Sequence, residues 1–392
     1  MHRMWLHAAL VLGILVVSCG PAARYPLSRL DSAEHHAFAG IVLLNREKIA
    51  DAGREFEWAL RLDPQHAKAL AGAGLVKAYG GDFRGGLDAM ERSLHHARSR
   101  EDRLFALIGV VRVNLLSHAA CLKIGTDCGP DDTWLRRSRE AFEQAVLIDH
   151  RDASAYYFMG ECYLAALDAD TAGRMFARVL DLNAEYVHEA QQRWKLVRKI
   201  RRAMPETVTG RKAALAERMT RADVAALLME ELKIGALFAR RAAKGAGTAV
   251  GQTGKAANAA GNREATDIAR DPIRATIEGV IRLGIGGLGV YPDGTFRPDE
   301  PVDRVSYAMI LDEILMTATG DMVPAGRYTG MPSPFSDLWG DTPGFPAAMT
   351  VVSKGIMELA DPATGSFAPY SPLSGVDALL AVRNMEKEIR YR

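Results

Sequence analysis

The sequence has no excess charge of either sign and very little cysteine. Its 392 residues carry 49 lysines and arginines against 48 aspartates and glutamates. A balance this close argues against a nucleic-acid-binding protein and against a polyacidic tail. The four cysteines include no Cys-x-x-Cys pair, which argues against a structural zinc site.

Motifs of familiar catalytic sites are also missing. The sequence contains no Gly-x-Ser-x-Gly, His-Glu-x-x-His, Walker or calcium-loop pattern. Gly284-Ile-Gly-Gly-Leu-Gly289 has dinucleotide-binding spacing, but it follows a helical pattern and runs into a Pro-Asp-Gly turn. The paired histidines, His35-His36 and His95-His96, point to different sides of a helix and suit metal chelation poorly. We therefore expect no catalytic residue, no cofactor and no metal, and a protein that is not an enzyme.

An apolar run occupies the N-terminus. His2-Arg3 precede an apolar core from Trp5 to Val17, and Ser18 leads into Cys19. This order resembles a bacterial lipoprotein signal peptide. The resemblance implies lipid on Cys19 and a membrane anchor, and Gly20 after the cysteine implies the periplasmic face of the outer membrane. The alternative is an ordinary secretory signal. Beyond residue 18 we expect no membrane-spanning run.

The other cysteines have two expected roles. Cys121 and Cys128 lie close together in a segment with Gly, Pro and Asp, so they could form a disulfide in an oxidising periplasm. Cys162 lies within a helical pattern, and we expect it to be a buried small hydrophobic residue.

Residues 33–204 show a repeated two-helix pattern with a period of about 34 residues. In the first copy, Gly40 and Ala52 provide small residues where helices touch, and Phe56 fills the seam. This spacing resembles the tetratricopeptide repeat (TPR). The resemblance implies an α-solenoid of helix pairs, followed by a capping helix from Glu185 to Met204. Five basic residues between Lys195 and Arg202 either belong to this exposed helix end or touch anionic lipid or glycan.

The TPR resemblance also implies a concave face that binds envelope protein partners. Its positions in this sequence are apolar, so a partner segment could lie in the groove. The same residues would also suit packing against the C-terminal part of the chain. The expected groove residues are Ile41, Leu44, Leu75, Tyr79, Val110, Tyr157 and Leu164.

A turn and a helix start lie close together in residues 289–304. Pro292-Asp293-Gly294 has the composition of a β-turn. Thr295-Phe296-Arg297 predicts a very short strand, and Asp303 then caps a helix with apolar residues at helical spacing. A further helix is expected upstream, starting near Asp271 and carrying an apolar stripe that ends at Gly284.

The same unit recurs after a shift of 71 residues. Gly284-Ile285 returns as Gly355-Ile356, and Gly294-Thr-Phe296 returns as Gly365-Ser-Phe367. The order helix, turn, short strand, helix, with Tyr291-Pro-Asp-Gly-Thr-Phe-Arg-Pro298, resembles the S-layer homology (SLH) module, a cell-envelope anchoring unit. Residues 219–228 resemble the second helix of another copy, and Thr220 and Asp223 there have the spacing of a capping box. The resemblance implies binding to peptidoglycan or cell-wall polysaccharide.

Arg221 and Arg304 are the candidate glycan-binding residues. Each stands one residue inside a predicted helix start, where the helix dipole disfavours a cation by a few tenths of a kcal/mol. In the SLH family a similar arginine contacts anionic polysaccharide, and a guanidinium suits carboxylates. The third copy has Gly375 at this position, so at most two sites are expected. The alternative is that each arginine pairs with a carboxylate of a neighbouring module.

Together these patterns predict a mainly α protein, a TPR α-solenoid followed by an α-helical SLH domain with very short strands. The expected segments are a lipoprotein signal peptide (1–18), a tether (19–32), the TPR domain with its capping helix (33–204), a partial SLH module (205–234), a flexible linker (235–264), an SLH module (265–316), a connection (317–336) and a last SLH module (337–392).

We expect a non-enzymatic envelope lipoprotein that scaffolds proteins and attaches to glycan, with no nucleic-acid partner. The alternative is an outer-membrane assembly factor of the pilus or secretion-pore type, or an adaptor for envelope hydrolases. In both alternatives the SLH modules bind protein.

Overall fold

The computed structural model describes residues 31–124, 133–245, 264–320, 328 and 331–390. Within these ranges the chain is mainly helical, and the very short strands are isolated β-bridges. The chain divides into two compact units. Unit 1 is Met1–Ala166 with Leu182–Glu185, and unit 2 is Leu167–Asp181 with Tyr186–Arg392. Cys19 and Cys128 lie outside the described residues.

Unit 1 is built from helix pairs that pack in sequence order, each on the next. Phe56 is fully buried between helices, and a Cβ atom placed on Gly40 would lie 2.6 Å from its ring. The predicted contact of small residues with this aromatic is therefore present. The helices are α1 (Ala33–Asn45), α2 (Ile49–Leu62), α3 (Ala67–Tyr79), α4 (Phe83–His96), α5 (Arg100–Ile124), α6 (Thr133–Ile148) and α7 (Ala153–Ala165).

The residues expected to line the TPR groove differ in exposure. Leu44, Leu75 and Leu164 are buried within unit 1, where Leu44 and Leu75 belong to its core. Tyr79 is 44% exposed, and the others are half-buried, namely Ile41, Val110 and Tyr157. A partner on this face would therefore touch these four side chains and not the three leucines.

Helix α5 departs from the expectation that no later run is long and apolar enough to span a membrane. Its segment Arg100–Leu122 has that length and composition. The helix packs against α3, α4, α6 and α7, as a core helix of unit 1 does. Near its end Cys121 is disulfide-bonded, while Cys162 on α7 is a free, buried thiol. Burial raises the pKa of Cys162 to about 12.

Unit 2 contains the rest of the described helices, and one of them corrects the predicted linker. The linker range begins as helix α12, because Leu237 and Phe238 pack against the core of unit 2. The helices are α8 (Ala169–Leu182), α9 (Val187–Ala203), α10 (Val208–Ala213), α11 (Arg221–Glu230), α12 (Ile234–Gly245), α13 (Arg274–Leu283), α14 (Arg304–Thr319), α15 (Phe345–Ser353) and α16 (Gly375–Arg390).

Helix α9 is the helix that the sequence places at the end of the TPR domain. In the structure it packs against α16 of unit 2. Ile200 and Ala203 are buried in the unit 2 core. The Nε of Arg383 on α16 donates to the carbonyl of Ala203 at 3.0 Å, so the end of α9 is held by both apolar and polar contacts.

A ring of backbone hydrogen bonds joins residues 205–234, 265–316 and 337–392, which we call modules 1, 2 and 3. The N–H of Met219 in module 1 donates to the carbonyl of Leu373 in module 3. The N–H of Leu373 donates to the carbonyl of Val302 in module 2, and the N–H of Val302 donates to the carbonyl of Met219. Each of these hydrogen bonds is 2.9 Å long. Because each module donates to one neighbour and accepts from the other, the three modules are related by an approximate threefold arrangement.

The predicted strand at Thr295-Phe296-Arg297 does not pair with another strand. Its N–H groups at Phe296 and Arg297 instead donate to the two carboxylate oxygens of Asp267, at 2.8 and 2.7 Å. Asp337 holds Phe367 and Ala368 in the same way. A side chain therefore satisfies this extended run in both modules, which is why no sheet is needed there.

Candidate functional site

The candidate site lies where a helix start of one module meets the turn of the next, and the ring produces three such junctions. The N–H groups of Arg221, Arg304 and Gly375 donate to the carbonyls of Glu300, Ser371 and Ala216 respectively. These three residues are thus structural equivalents. Thr220 and Asp223 form the predicted capping box before the first of these helices.

At the first junction the guanidinium of Arg221 is occupied by main-chain carbonyls. Its Nε donates to Phe296 and its Nη2 to Gly289, each at 2.8 Å, and its Nη1 donates to Gly287. It lies 4.6 Å from the ring centre of Tyr291 and 4.7 Å from that of Phe296. The side chain is buried, and burial lowers the pKa of Arg221, which remains charged at neutral pH because an arginine titrates far above it.

A cavity of about 390 Å³ opens beside this arginine, and we call it the first groove. Its walls include the Tyr291 ring and the main chain at Gly287. The exposed Ser306 offers a hydroxyl, and Glu300, which accepts a 2.9 Å hydrogen bond from Tyr291, offers a carboxylate. The Tyr291 ring already contacts two guanidinium groups, those of Arg221 and Arg297, which lie 4.6 and 4.3 Å from its centre. The hydroxyl and carboxylate groups of the cavity suit a ligand rich in hydroxyl groups, such as a glycan.

At the second junction Arg304 has the same role. Its Nε donates to the carbonyl of Phe367 and its Nη2 to that of Glu358, both at 2.7 Å. Its Nη1 lies 3.8 Å from a carboxylate oxygen of Asp377. The side chain is buried, and burial lowers the pKa of Arg304. We call the space bounded by Arg304, Glu358 and Asp377 the second groove.

The third junction has no room for an arginine. A Cβ atom on Gly375 would lie 1.6 Å from the carbonyl oxygen of Ala213. Main chain therefore lies where the first side-chain atom of an arginine would be, so an arginine at this position would require main chain to move.

Residues 288–307 match the S-layer homology domain. The match covers the turn of module 2, the ring residue Val302 and the start of helix α14. This chain is similar to a solved structure from a study of Pseudomonas aeruginosa PilF, with 13% sequence identity and a TM-score of 0.22. The alignment covers 45% of this chain and 93% of the PilF-study chain. A search of curated proteins returned no match.

Sequence reasoning found the arginines but not the residues that distinguish their surroundings. Gly287 and Ser306 at the first groove correspond, 71 residues later, to Glu358 and Asp377 at the second. The repeat shift was visible in the sequence, so aligning the two copies residue by residue could have found both pairs. Only the structure shows that these positions lie beside the arginines.

Proposed function

We propose that this protein is a non-enzymatic cell-envelope lipoprotein that attaches to peptidoglycan or another envelope glycan through unit 2. The match to the S-layer homology domain supports attachment to the cell envelope. The first groove carries the proposal, because it combines a cavity with the residues of that match.

In this proposal Arg221 shapes the groove and other side chains contact the ligand. Three of its donors already bind carbonyls, so the guanidinium is not free to form a new fork with a carboxylate. An Arg221→Ala change would leave these carbonyls unpaired and would not separate loss of binding from loss of folding. Ser306 is the better residue to change, because it is exposed on helix α14 and lines the cavity.

The test is co-sedimentation of the full-length protein, in detergent, with purified peptidoglycan sacculi. Ser306→Tyr puts an aromatic ring into the first groove, and we expect the affinity for sacculi to fall by about tenfold or more, equivalent to ~1.4 kcal/mol. Thr317→Tyr is the matched control, because Thr317 is exposed on the same helix and does not line this cavity. Its binding should equal that of the wild type.

Two results would contradict the proposal. If the wild-type protein stays in the supernatant, unit 2 does not attach to peptidoglycan, and the assembly-factor or hydrolase-adaptor function becomes the better account. If Ser306→Tyr binds as well as Thr317→Tyr, the first groove is not the glycan site.

The lipid anchor is the second part of the proposal, and the signal-like N-terminus supports it. Acyl chains on Cys19 would hold the protein on the periplasmic face of the outer membrane, since each buried methylene contributes about 0.8 kcal/mol. Cys19→Ser should move the protein from the membrane fraction to the soluble fraction. Retention of this variant in the membrane would refute the anchor.

Protein binding by unit 1 is the third part. The helix pairs leave Tyr79 of the predicted groove exposed, and Ile41 and Val110 half-buried. A photo-crosslinking residue at Tyr79 should capture the same envelope protein in independent preparations. The absence of any reproducible product would argue against a scaffold.

A further inference from the structure

Two cations of helix α9 lie against the second groove. The Nζ of Lys199 donates to a carboxylate oxygen of Asp377 at 2.9 Å, and the Nη2 of Arg202 donates to a carboxylate oxygen of Glu358 at 2.5 Å. Asp377 and Glu358 are also the residues beside the Arg304 guanidinium. The end of α9 therefore reaches the second groove.

These contacts use two of the positions at which the grooves differ. Asp377 corresponds to Ser306, and Glu358 corresponds to Gly287, by the same 71-residue shift. Ser306 and Gly287 line the open cavity of the first groove and carry no charge that would attract a cation. The carboxylates and the cations of α9 are thus found together at the second groove.

The position of α9 is set by more than these two ion pairs. Ile200 and Ala203 are buried in the unit 2 core, between Lys199 and the end of the helix. Arg201 pairs with Asp170 at 3.1 Å, and Arg198 lies 4.8 Å from the centre of the Trp194 ring. The basic stretch noted in the sequence is therefore largely engaged within unit 2.

We propose that Lys199 and Arg202 occupy the second groove and close it to ligand, so that of the two arginine grooves only the first binds envelope glycan. This inference rests on the proposed function. A ligand entering the second groove would have to displace both cations from Asp377 and Glu358. Both ion pairs are partly exposed, so each alone adds little, and the buried contacts of Ile200 and Ala203 hold the cations of α9 at this position.

A carbodiimide cross-link tests the inference directly. The reagent joins an amine to a carboxylate that is already in contact, so it should link Lys199 to Asp377 in the full-length protein. The Lys354–Glu388 pair, at 3.0 Å in the same unit, is the internal reference. Mass spectrometry of the digested protein gives both yields, with and without saturating soluble peptidoglycan fragments released by a muramidase.

We expect the Lys199–Asp377 yield to match the reference and to stay unchanged when fragments are added. In Ser306→Tyr the fragments should bind at least about tenfold more weakly, while the cross-link yield should remain that of the wild type. A fall of about twofold or more in the wild type, with the reference unchanged, would show that ligand enters the second groove and would overturn the inference.

The result separates this inference from the proposed function. If the wild type binds no fragments, the proposed function fails, and the cross-link still decides whether the cations occupy the groove. A Lys199–Asp377 yield comparable to that of the Lys354–Glu388 reference supports the inference that the α9 cations occupy the second groove. Absence of the Lys199–Asp377 product, with the reference product present, overturns it.

Discussion

The first and second grooves share one main-chain frame and differ in the side chains around it. In both, a buried arginine donates its Nε to the carbonyl of a phenylalanine, Phe296 or Phe367, at 2.8 or 2.7 Å. In both, another nitrogen of the arginine reaches the carbonyl of equivalent residues, Gly287 or Glu358. The arginine therefore does not explain why the grooves differ.

The difference comes from what surrounds the arginine. The first groove has Gly287 and Ser306 and leaves a cavity of about 390 Å³. The second has Glu358 and Asp377 and holds two cations of α9. The repeated arginine at a helix start thus binds main-chain carbonyls in both copies, and the side chains around it differ between the two grooves.

A substitution at the third junction should have the largest effect on stability. It tests whether the main-chain frame requires a glycine at this junction. Gly375→Ala would place a Cβ atom 1.6 Å from the carbonyl oxygen of Ala213, so main chain must move. We expect the free energy of unfolding of unit 2 to fall by about 3 kcal/mol or more. Urea titrations read by hydrogen exchange of peptides from α16 measure this loss.

Gly289→Ala is the matched control for this prediction. Gly289 also lies at a junction, but no atom lies within 4 Å of the Cβ position there. The substitution should therefore change stability by only about 0.5 kcal/mol. Equal losses in the two variants would mean that the third junction is not closed by its main chain.

Local features of unit 2 were readable from the sequence. Gly284 ends helix α13 with φ of 67°, as its place after an apolar stripe predicted. The capping box of Thr220 and Asp223 and the cap by Asp303 are present as expected. Each depends on residues three or four positions apart, so the spacing alone carries the information.

Contacts between distant residues were not readable in this way. The ring links Met219, Val302 and Leu373 through main-chain atoms, which leave no trace in side-chain pattern. The amphipathic pattern of α9 predicted a helix but not its neighbour, since Ile200 would suit any apolar surface. For the same reason the sequence suggested an open site at Arg304 and gave no sign that Lys199 reaches Asp377.

The smallest expected effect is a pH-dependent contribution of the second groove to stability, which comes from the Asp377 carboxylate. Burial raises the pKa of Asp377, but hydrogen bonds from Lys199 and Ser374 outweigh it, and the pKa lies below its ordinary value. A carboxyl whose pKa is lowered by folding stabilises the protein above its unfolded-state pKa, and this contribution is lost as the pH falls through the folded-state value. Ser306 cannot titrate in this range, so the first groove has no counterpart to this contribution at the position that corresponds to Asp377.

We therefore expect Lys199→Met to destabilise unit 2 by about 0.5–1 kcal/mol at neutral pH, because the pair is partly exposed. The loss should shrink between about pH 5 and about pH 2 as Asp377 becomes protonated. Asp377→Ser gives the second groove the residue of the first, so Lys199→Met in that background should have no effect at either pH. Hydrogen exchange of α16 peptides during urea titration measures the free energy of unfolding in each variant. An equal loss of stability in both backgrounds would show that Lys199 stabilises α9 through contacts other than Asp377.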